Sequence, residues 1–222
     1  VNNASLFKLD RAPTARAADF DLHMAVNLRA PLLLNQTEGD FFPFEPNKIH
    51  FFYPSFPRSY KNHEAILEAI KVVPKNISEQ TQFHFTTIKD SKEKYAQFLV
   101  KEYGFLENVH FYGKVKRNQL LSMYNAMDCL LFPSKIETWG LPISEGKAYN
   151  KPMFLANLPY AKEACGDYEK VTFFDEKSAS DLVKLISEFV EEKHMFQGNA
   201  SPFDTSNDLH NWKEVFQYIL TD

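Results

Sequence analysis

Cysteine is nearly absent. Cys129 and Cys165 are the only two in 222 residues, too few to staple a small secreted fold and in keeping with a reducing, cytoplasmic compartment. No apolar run approaches the ~18 residues that cross a bilayer, so no membrane span is expected. Basic charge is not in excess: 25 Lys plus Arg stand against 29 Asp plus Glu, a net charge of −4, which argues against a nucleic-acid partner. Glycine is scarce too, and none of the seven lies two residues from another. The G-x-G-x-x-G fingerprint is therefore missing, as is a G-x-x-x-x-G-K-[ST] loop, and ordinary NAD enzymes and P-loop NTPases are disfavoured. There is no G-x-S-x-G elbow and neither cysteine has a histidine close by in sequence, so acyl transfer has no visible machinery. Asn-x-Ser/Thr triplets at Asn3, Asn35, Asn76 and Asn199 come without a signal peptide and read as chance.

What is present is an apolar fraction of 44%, enough for a core in a chain that can bury roughly 70% of its unfolded surface. From Ile49 onward, short apolar runs alternate with helix-period segments, the pattern of βα units on a parallel sheet. Strands are expected at Ile49–Tyr53, Phe83–Thr87, Val109–Tyr112, Cys129–Phe132, Pro152–Ala156 and Val171–Phe174. The helices between them are expected at Lys61–Val73, stopped by Pro74, at Lys92–Tyr103, at Gln119–Asn125, at Pro142–Tyr149 and near Ala161. Gly104 is expected to end the second at positive φ, and Asn118 to cap the third. Two helices, Ala179–Glu192 and Asn207–Leu220, close the chain across the polar loop Gln197–Ser206. The fold class is α/β, a doubly wound, Rossmann-like parallel sheet. Residues 1–48 lack a clean period and read as an N-terminal extension or a remnant of another lobe, leaving 49–222 as the domain. Val1 in first place fits a piece of a longer protein.

His50, His84 and His110 each fall near the beginning of a strand. A metal site and a set of structural histidines are both compatible with that, but ligands of open α/β sheets bind beyond the carboxyl ends, which favours the structural role. The basic stretch Lys114, Lys116, Arg117 reads as a solvated turn, although it follows the third strand at the ligand-bearing edge.

The informative stretch is Pro133-Ser-Lys-Ile-Glu137-Thr-Trp-Gly140-Leu-Pro142-Ile-Ser-Glu145. It leaves a buried strand and runs into a helix whose start is marked by Gly140 and Pro142. Free amides of Gly140, Leu141 and their neighbours, with the helix dipole, favour an anion such as a diphosphate. Glu137 in the loop and Glu145 one turn into the helix can border the same crevice. A carboxylate only accepts hydrogen bonds, so the pair suits the hydroxyls of ribose or another sugar. The other reading of the two is an exposed loop residue and a charge stabilising a helix N-terminus.

In context, these residues resemble the C-terminal, donor-binding lobe of GT-B glycosyltransferases of the group 1 (family 4) type. Glu137 and Glu145 have the spacing of that family's Glu-x7-Glu motif. Phe111-Tyr-Gly113, Leu120-Leu-Ser-Met-Tyr124-Asn-Ala126-Met-Asp128 and Leu131-Phe-Pro-Ser134 are similar to the run leading into it. Gly146-Lys-Ala148-Tyr-Asn-Lys-Pro152 resembles the stretch Ala-x-Ala-x-Gly-x-Pro-Val that follows, with Gly146 for the first Ala, Asn150 for Gly and Met153 for Val. Phe52-Tyr-Pro-Ser-Phe-Pro-Arg58-Ser-Tyr-Lys61-Asn-His63 resembles the segment bearing the family's basic pair. There the usual spacing is Arg-x4-Lys, whereas Arg58 precedes Lys61 by three and Phe56 takes the usual Arg position.

The resemblance, covering about residues 49–175, implies one lobe of a retaining enzyme that transfers a sugar from a nucleotide-diphosphate sugar. Arg58 and Lys61 are implied to stabilise the leaving diphosphate without a metal or other cofactor, Glu137 to orient the donor sugar and Glu145 to hold the ribose. Thr138, Trp139, Gly140, Leu141, Gly113 and Lys114 are implied to complete the donor site. The acceptor, a glycan or lipid-linked glycan, is expected on a further N-terminal lobe, so the chain alone is expected to turn over poorly, and the full enzyme is implied to associate peripherally with the cytoplasmic face of a membrane. The only Asp-x-Asp pair, Asp19 and Asp21, lies in the extension. A non-catalytic nucleotide-sugar or protein-binding module of the same fold is the alternative from a different class, and a sugar-nucleotide epimerase is a further enzymatic one.

Overall fold

Five consecutive residues, Ile49-His-Phe-Phe-Tyr53, are all buried, which only a strand covered on both faces permits. This strand, β1, lies inside a six-stranded sheet of order β3-β2-β1-β4-β5-β6. The others are β2 (Thr81–Phe85), β3 (Val109–Phe111), β4 (Cys129–Phe132), β5 (Met153–Ala156) and β6 (Val171–Phe174), and every pairing is parallel. The computed structural model describes residues 44–86 and 92–196. The expected helix Asn207–Leu220, the loop Gln197–Ser206, Asp19, Asp21 and nearly all of the N-terminal extension lie outside the described residues.

Burial follows strand position. β4 and β5 are wholly buried like β1, while the edge strands β3 and β6 are half-covered. Phe51, Phe83, Leu131 and Phe154 belong to the continuous core, where each such side chain contributes about 1.5–3 kcal/mol by leaving water. The connecting helices are α1 (His63–Val72), α2 (Lys75–Ser78), α3 (Lys94–Tyr103), α4 (Arg117–Ala126), α5 (Leu141–Ala148), α6 (Pro159–Cys165) and α7 (Ala179–Phe196). α1 and α7 pack against each other. Among the described residues no helix is long and apolar enough to cross a membrane.

Several expectations are corrected. β2 starts at Thr81 and not Phe83, because Thr81 is buried with its hydroxyl donated to the Ile77 carbonyl, a polar start that apolar patterning misses. Pro74 ends α1 but also opens the extra turn α2. Gly104 has φ −66; glycine fits there because a Cβ would lie 2.4 Å from the Val100 carbonyl oxygen. α4 begins at Arg117, and its cap is Lys116, whose N–H donates to the Gln119 side chain at 3.0 Å, not Asn118. Phe44 stacks on the His50 and His84 rings, so the end of the expected extension packs on the sheet.

The order β3-β2-β1-β4-β5-β6 reverses direction between β1 and β4. Such a switch point opens a crevice beyond the carboxyl ends of the two strands, because the connections leaving them turn to opposite faces. The loops after β1 and β4 carry Lys61 and Glu137.

Candidate functional site

Leaving β1, the chain passes through Pro54 to Arg58 and a 3-10 turn, Ser59–Lys61, before α1. The join is made by Asn62 at φ 57, a left-handed backbone that asparagine tolerates better than most residues. Its side-chain amide donates to the carbonyls of Pro133 at 3.2 Å and Glu176 at 2.9 Å, tying the loops after β1, β4 and β6 together. The Tyr53 hydroxyl donates to the Lys61 carbonyl at 2.6 Å. With its backbone so held, Lys61 places Nζ 2.5 Å from Glu137 Oε1, the two side chains being 16% and 12% exposed. Beneath them His63 is fully buried, with Nε2 2.8 Å from the Ser55 hydroxyl. Burial, and secondarily the charge of Lys61, lowers its pKa to about 3, so the imidazole is neutral.

The loop after β4 is fastened to the loop after β1. The Lys135 N–H donates to the Tyr60 carbonyl at 2.8 Å, and the Tyr160 hydroxyl donates to the Ser134 carbonyl at 2.6 Å. Gly140, at φ 79, turns the loop into α5, which begins at Leu141, one residue before the expected start. Among the described residues no acceptor takes the N–H groups of Gly140 or Leu141, and Pro142 has none to offer. Trp139 is held by its indole N–H on the Ser144 hydroxyl at 3.2 Å. The result is a helix start whose Gly140 and Leu141 amides are unpaired among the described residues, an anion-favouring feature, on the same loop as Glu137.

Glu145 is 3% exposed and accepts a 2.6 Å hydrogen bond on Oε1 from Arg117. Tyr124 lies close by, fully buried, its hydroxyl without a hydrogen-bond partner, and the Tyr149 ring stacks on it at 5.8 Å. Burial first, then the negative charge of Glu145, pushes the Tyr124 hydroxyl well above its ordinary pKa.

The structure thus brings Lys61, Glu137, Trp139, Gly140 and Leu141 together on two joined loops, with Glu145 one turn into α5. Gly113, at φ 82, turns the chain out of β3, and Lys114 beside it is exposed, as is Thr138. Arg58 is not brought to Lys61: it pairs with Glu93 at 3.0 Å, both side chains about half exposed. Arg117, read from sequence as part of a solvated turn, instead holds Glu145. Charge spacing along the chain does not signal this pairing, which joins α4 to α5.

The departures from the family pattern have local causes. Asn150 has φ 54, the left-handed backbone that a glycine adopts freely. At Gly146 a Cβ would lie 2.8 Å from Met153 Sδ and 3.2 Å from Leu130 Cδ2, so the larger Met153 leaves room for glycine alone.

The histidines form a separate column. His50 Nδ1 is 2.9 Å from His84 Nε2, whose ring places Nδ1 2.9 Å from the Tyr112 hydroxyl, and His110 bonds Gln82. Burial, then the neighbouring His50 and His110, lowers His84 to about pKa 2. His84 is the fourth residue of β2, not near its start, because the strand begins at Thr81. Ring stacking and mutual hydrogen bonds account for these side chains as structure.

Residues 37–201 match the family described as Glycosyl transferases group 1. The chain is 26% identical over 101 residues to the serotype-specific mannosyltransferase WbdA of Escherichia coli, covering 46% of this chain and 12% of WbdA. It is 27% identical over 112 residues to the O-antigen chain mannosyltransferase RfbU of Salmonella typhimurium, 50% of this chain and 32% of RfbU. It therefore spans only a fraction of the curated relatives' length. Among solved structures, Anabaena HepE in complex with UDP-glucose superposes with a TM-score of 0.56 at 17% identity, over 79% of this chain and 48% of HepE. The catalytic domain of the Helicobacter pylori cholesterol-α-glucosyltransferase gives 0.54 at 14% identity, over 78% and 96%. The fold is that of one Rossmann-like lobe of the GT-B architecture, and the chain belongs to the group 1 glycosyl transferases.

Proposed function

We propose that this chain is the donor-binding lobe of a retaining glycosyltransferase and holds a nucleotide-diphosphate sugar across the β1/β4 switch point. The observation that carries the reading is the Lys61–Glu137 pair, with Glu137 on the loop that leads to the Gly140 and Leu141 amides, unpaired among the described residues. Cation and amides stabilise charge developing on a departing diphosphate, an effect that costs no reorganisation because the groups are already in place. A phosphate reaching Lys61 displaces Glu137, whose carboxylate is then free to accept hydroxyl hydrogen bonds from the donor sugar. Glu145 accepts the ribose hydroxyls. Lys61 supplies the main charge without a metal, and Arg58 joins it only by leaving Glu93. Support for the donor class comes from HepE, solved with UDP-glucose, and for a hexosyl donor from the mannosyltransferases WbdA and RfbU. Both cysteines are free, which suits a reducing, cytoplasmic location. The acceptor, a glycan or lipid-linked glycan, sits on a second lobe, with the whole enzyme at the cytoplasmic face of a membrane.

The test is calorimetry on the full chain with UDP, GDP and ADP and their hexose conjugates. One of the three nucleotides binds; absence of binding by all of them overturns the reading.

A further inference from the structure

Arg117 stands where a cation is least welcome. As the first residue of α4 it adds positive charge to the positive end of a helix dipole. Its neighbours Lys114 and Lys116 on the same turn are exposed, and Arg117, itself 39% exposed, reaches across to α5 and donates to Glu145 Oε1 at 2.6 Å. Glu145 is 3% exposed, and a carboxylate so buried needs a charged or hydrogen-bonding partner. The buried Tyr124 hydroxyl lies near the same carboxylate, which raises its pKa after burial does, and the Tyr149 ring stacks on Tyr124. Arg117 is thus the charged partner that fixes the carboxylate, and the bond it makes is to Oε1.

We infer that Arg117 is a positioning residue for ribose recognition: by holding Oε1 it sets the plane of the Glu145 carboxylate so that Oε2 meets the vicinal ribose hydroxyls. This rests on the reading that Glu145 takes the ribose. Arg117 itself touches no reacting atom, and its loss affects the hydroxyl contact while leaving the diphosphate contacts at Lys61 and α5 intact.

The test compares each nucleoside diphosphate that the full chain binds with its 2′,3′-dideoxy form, by calorimetry, in wild type, R117Q, R117K and E145Q. Wild type prefers the ribonucleotide by about tenfold, the scale of a hydrogen bond to a charged group. In R117Q the preference falls to about twofold or less with dideoxy affinity unchanged, and R117K keeps it within about threefold of wild type. A structural role alone would weaken both ligands together and leave the ratio intact; that outcome, or a wild-type ratio in R117Q, overturns the assignment. Should R117Q fail to fold, R117M, which keeps the aliphatic stem, is read in the same way. If E145Q also keeps the wild-type ratio, the fault lies in the ribose reading itself, and the two failures are thereby distinguished.

Discussion

Lys61 and Glu137 are 76 residues apart in sequence and 2.5 Å apart at their charged ends. They meet because β1 and β4 are neighbours in the sheet, and each loop leaves its strand at the same edge. With both side chains mostly covered, the pair resists screening by salt better than a surface bridge, and it presents a held cation to an incoming anion.

Lys61→Ala removes that cation and leaves the mostly covered Glu137 without it. Nucleoside diphosphate affinity is expected to drop by about 1.5–3 kcal/mol, the value of a hydrogen bond to a charged group. Calorimetry on the variant reads this directly; an unchanged dissociation constant removes Lys61 from the site.

Donor binding should be insensitive to EDTA, because Lys61 and the Gly140 and Leu141 amides supply the positive potential that a divalent ion would otherwise provide. Binding measured before and after chelation should agree. A collapse reversed by Mg²⁺ or Mn²⁺ would show that the protein's own groups do not suffice.

Gly146 and Met153 should be energetically coupled. Gly146→Ala drives a methyl against Met153 Sδ, 2.8 Å from the Cβ position, and overpacking of this kind costs about 1–3 kcal/mol. Met153→Val clears the sulfur, so the double variant should recover most of the loss. Denaturant unfolding of the four proteins gives the coupling, and additive losses would locate the clash at Leu130 instead.

His63 and His84 make stability fall in acid. In the folded protein their pKa values are lowered to about 3 and about 2, against about 6.5 in the unfolded chain. Below that unfolded value the unfolded state binds protons that the native state refuses. Their stabilisation is therefore complete above about pH 6.5 and is lost as pH falls toward about 3, at up to ~1.4 kcal/mol per pH unit for each histidine. Melting temperatures of wild type and His63→Gln between pH 7 and 4 should converge as the pH drops, and parallel curves would show that His63 is already protonated in the native state.

The strands that sequence places without error, β1, β4 and β6, are bounded by abrupt changes of polarity or by a turn: Asp128 before Cys129, Pro133 after Phe132. β2 slips by two residues because its polar start is satisfied, Thr81 by the Ile77 carbonyl and Gln82 by His110, in ways that apolar patterning does not reveal. In the site, Glu137, Gly140 and Glu145 are legible since their spacing is local to one strand-loop-helix unit. The partners of the charges are not. Whether Arg58 meets Lys61 or Glu93, and whether Arg117 meets water or Glu145, depends on how α3, α4 and α5 pack beside the sheet, and charge spacing along the chain is silent on that.

Glu137 and Glu145 should separate when tested with and without the sugar. Glu145 is buried on α5 with Oε1 already engaged, so its remaining oxygen serves whatever nucleotide lies along that helix. Glu145→Ala therefore weakens free nucleoside diphosphate and nucleotide sugar alike, by about 1–3 kcal/mol. Glu137 differs because its carboxylate pairs with Lys61. Glu137→Gln frees the ammonium from a competing carboxylate, so free diphosphate binds at least as tightly as to wild type. The nucleotide sugar, deprived of a charged acceptor for its hydroxyls, loses about 1–3 kcal/mol relative to the free nucleotide. Paired titrations with the two ligands on each variant measure the split. Equal losses for both ligands in both variants would mean that the carboxylates share one task and that the sugar does not lie beside Glu137.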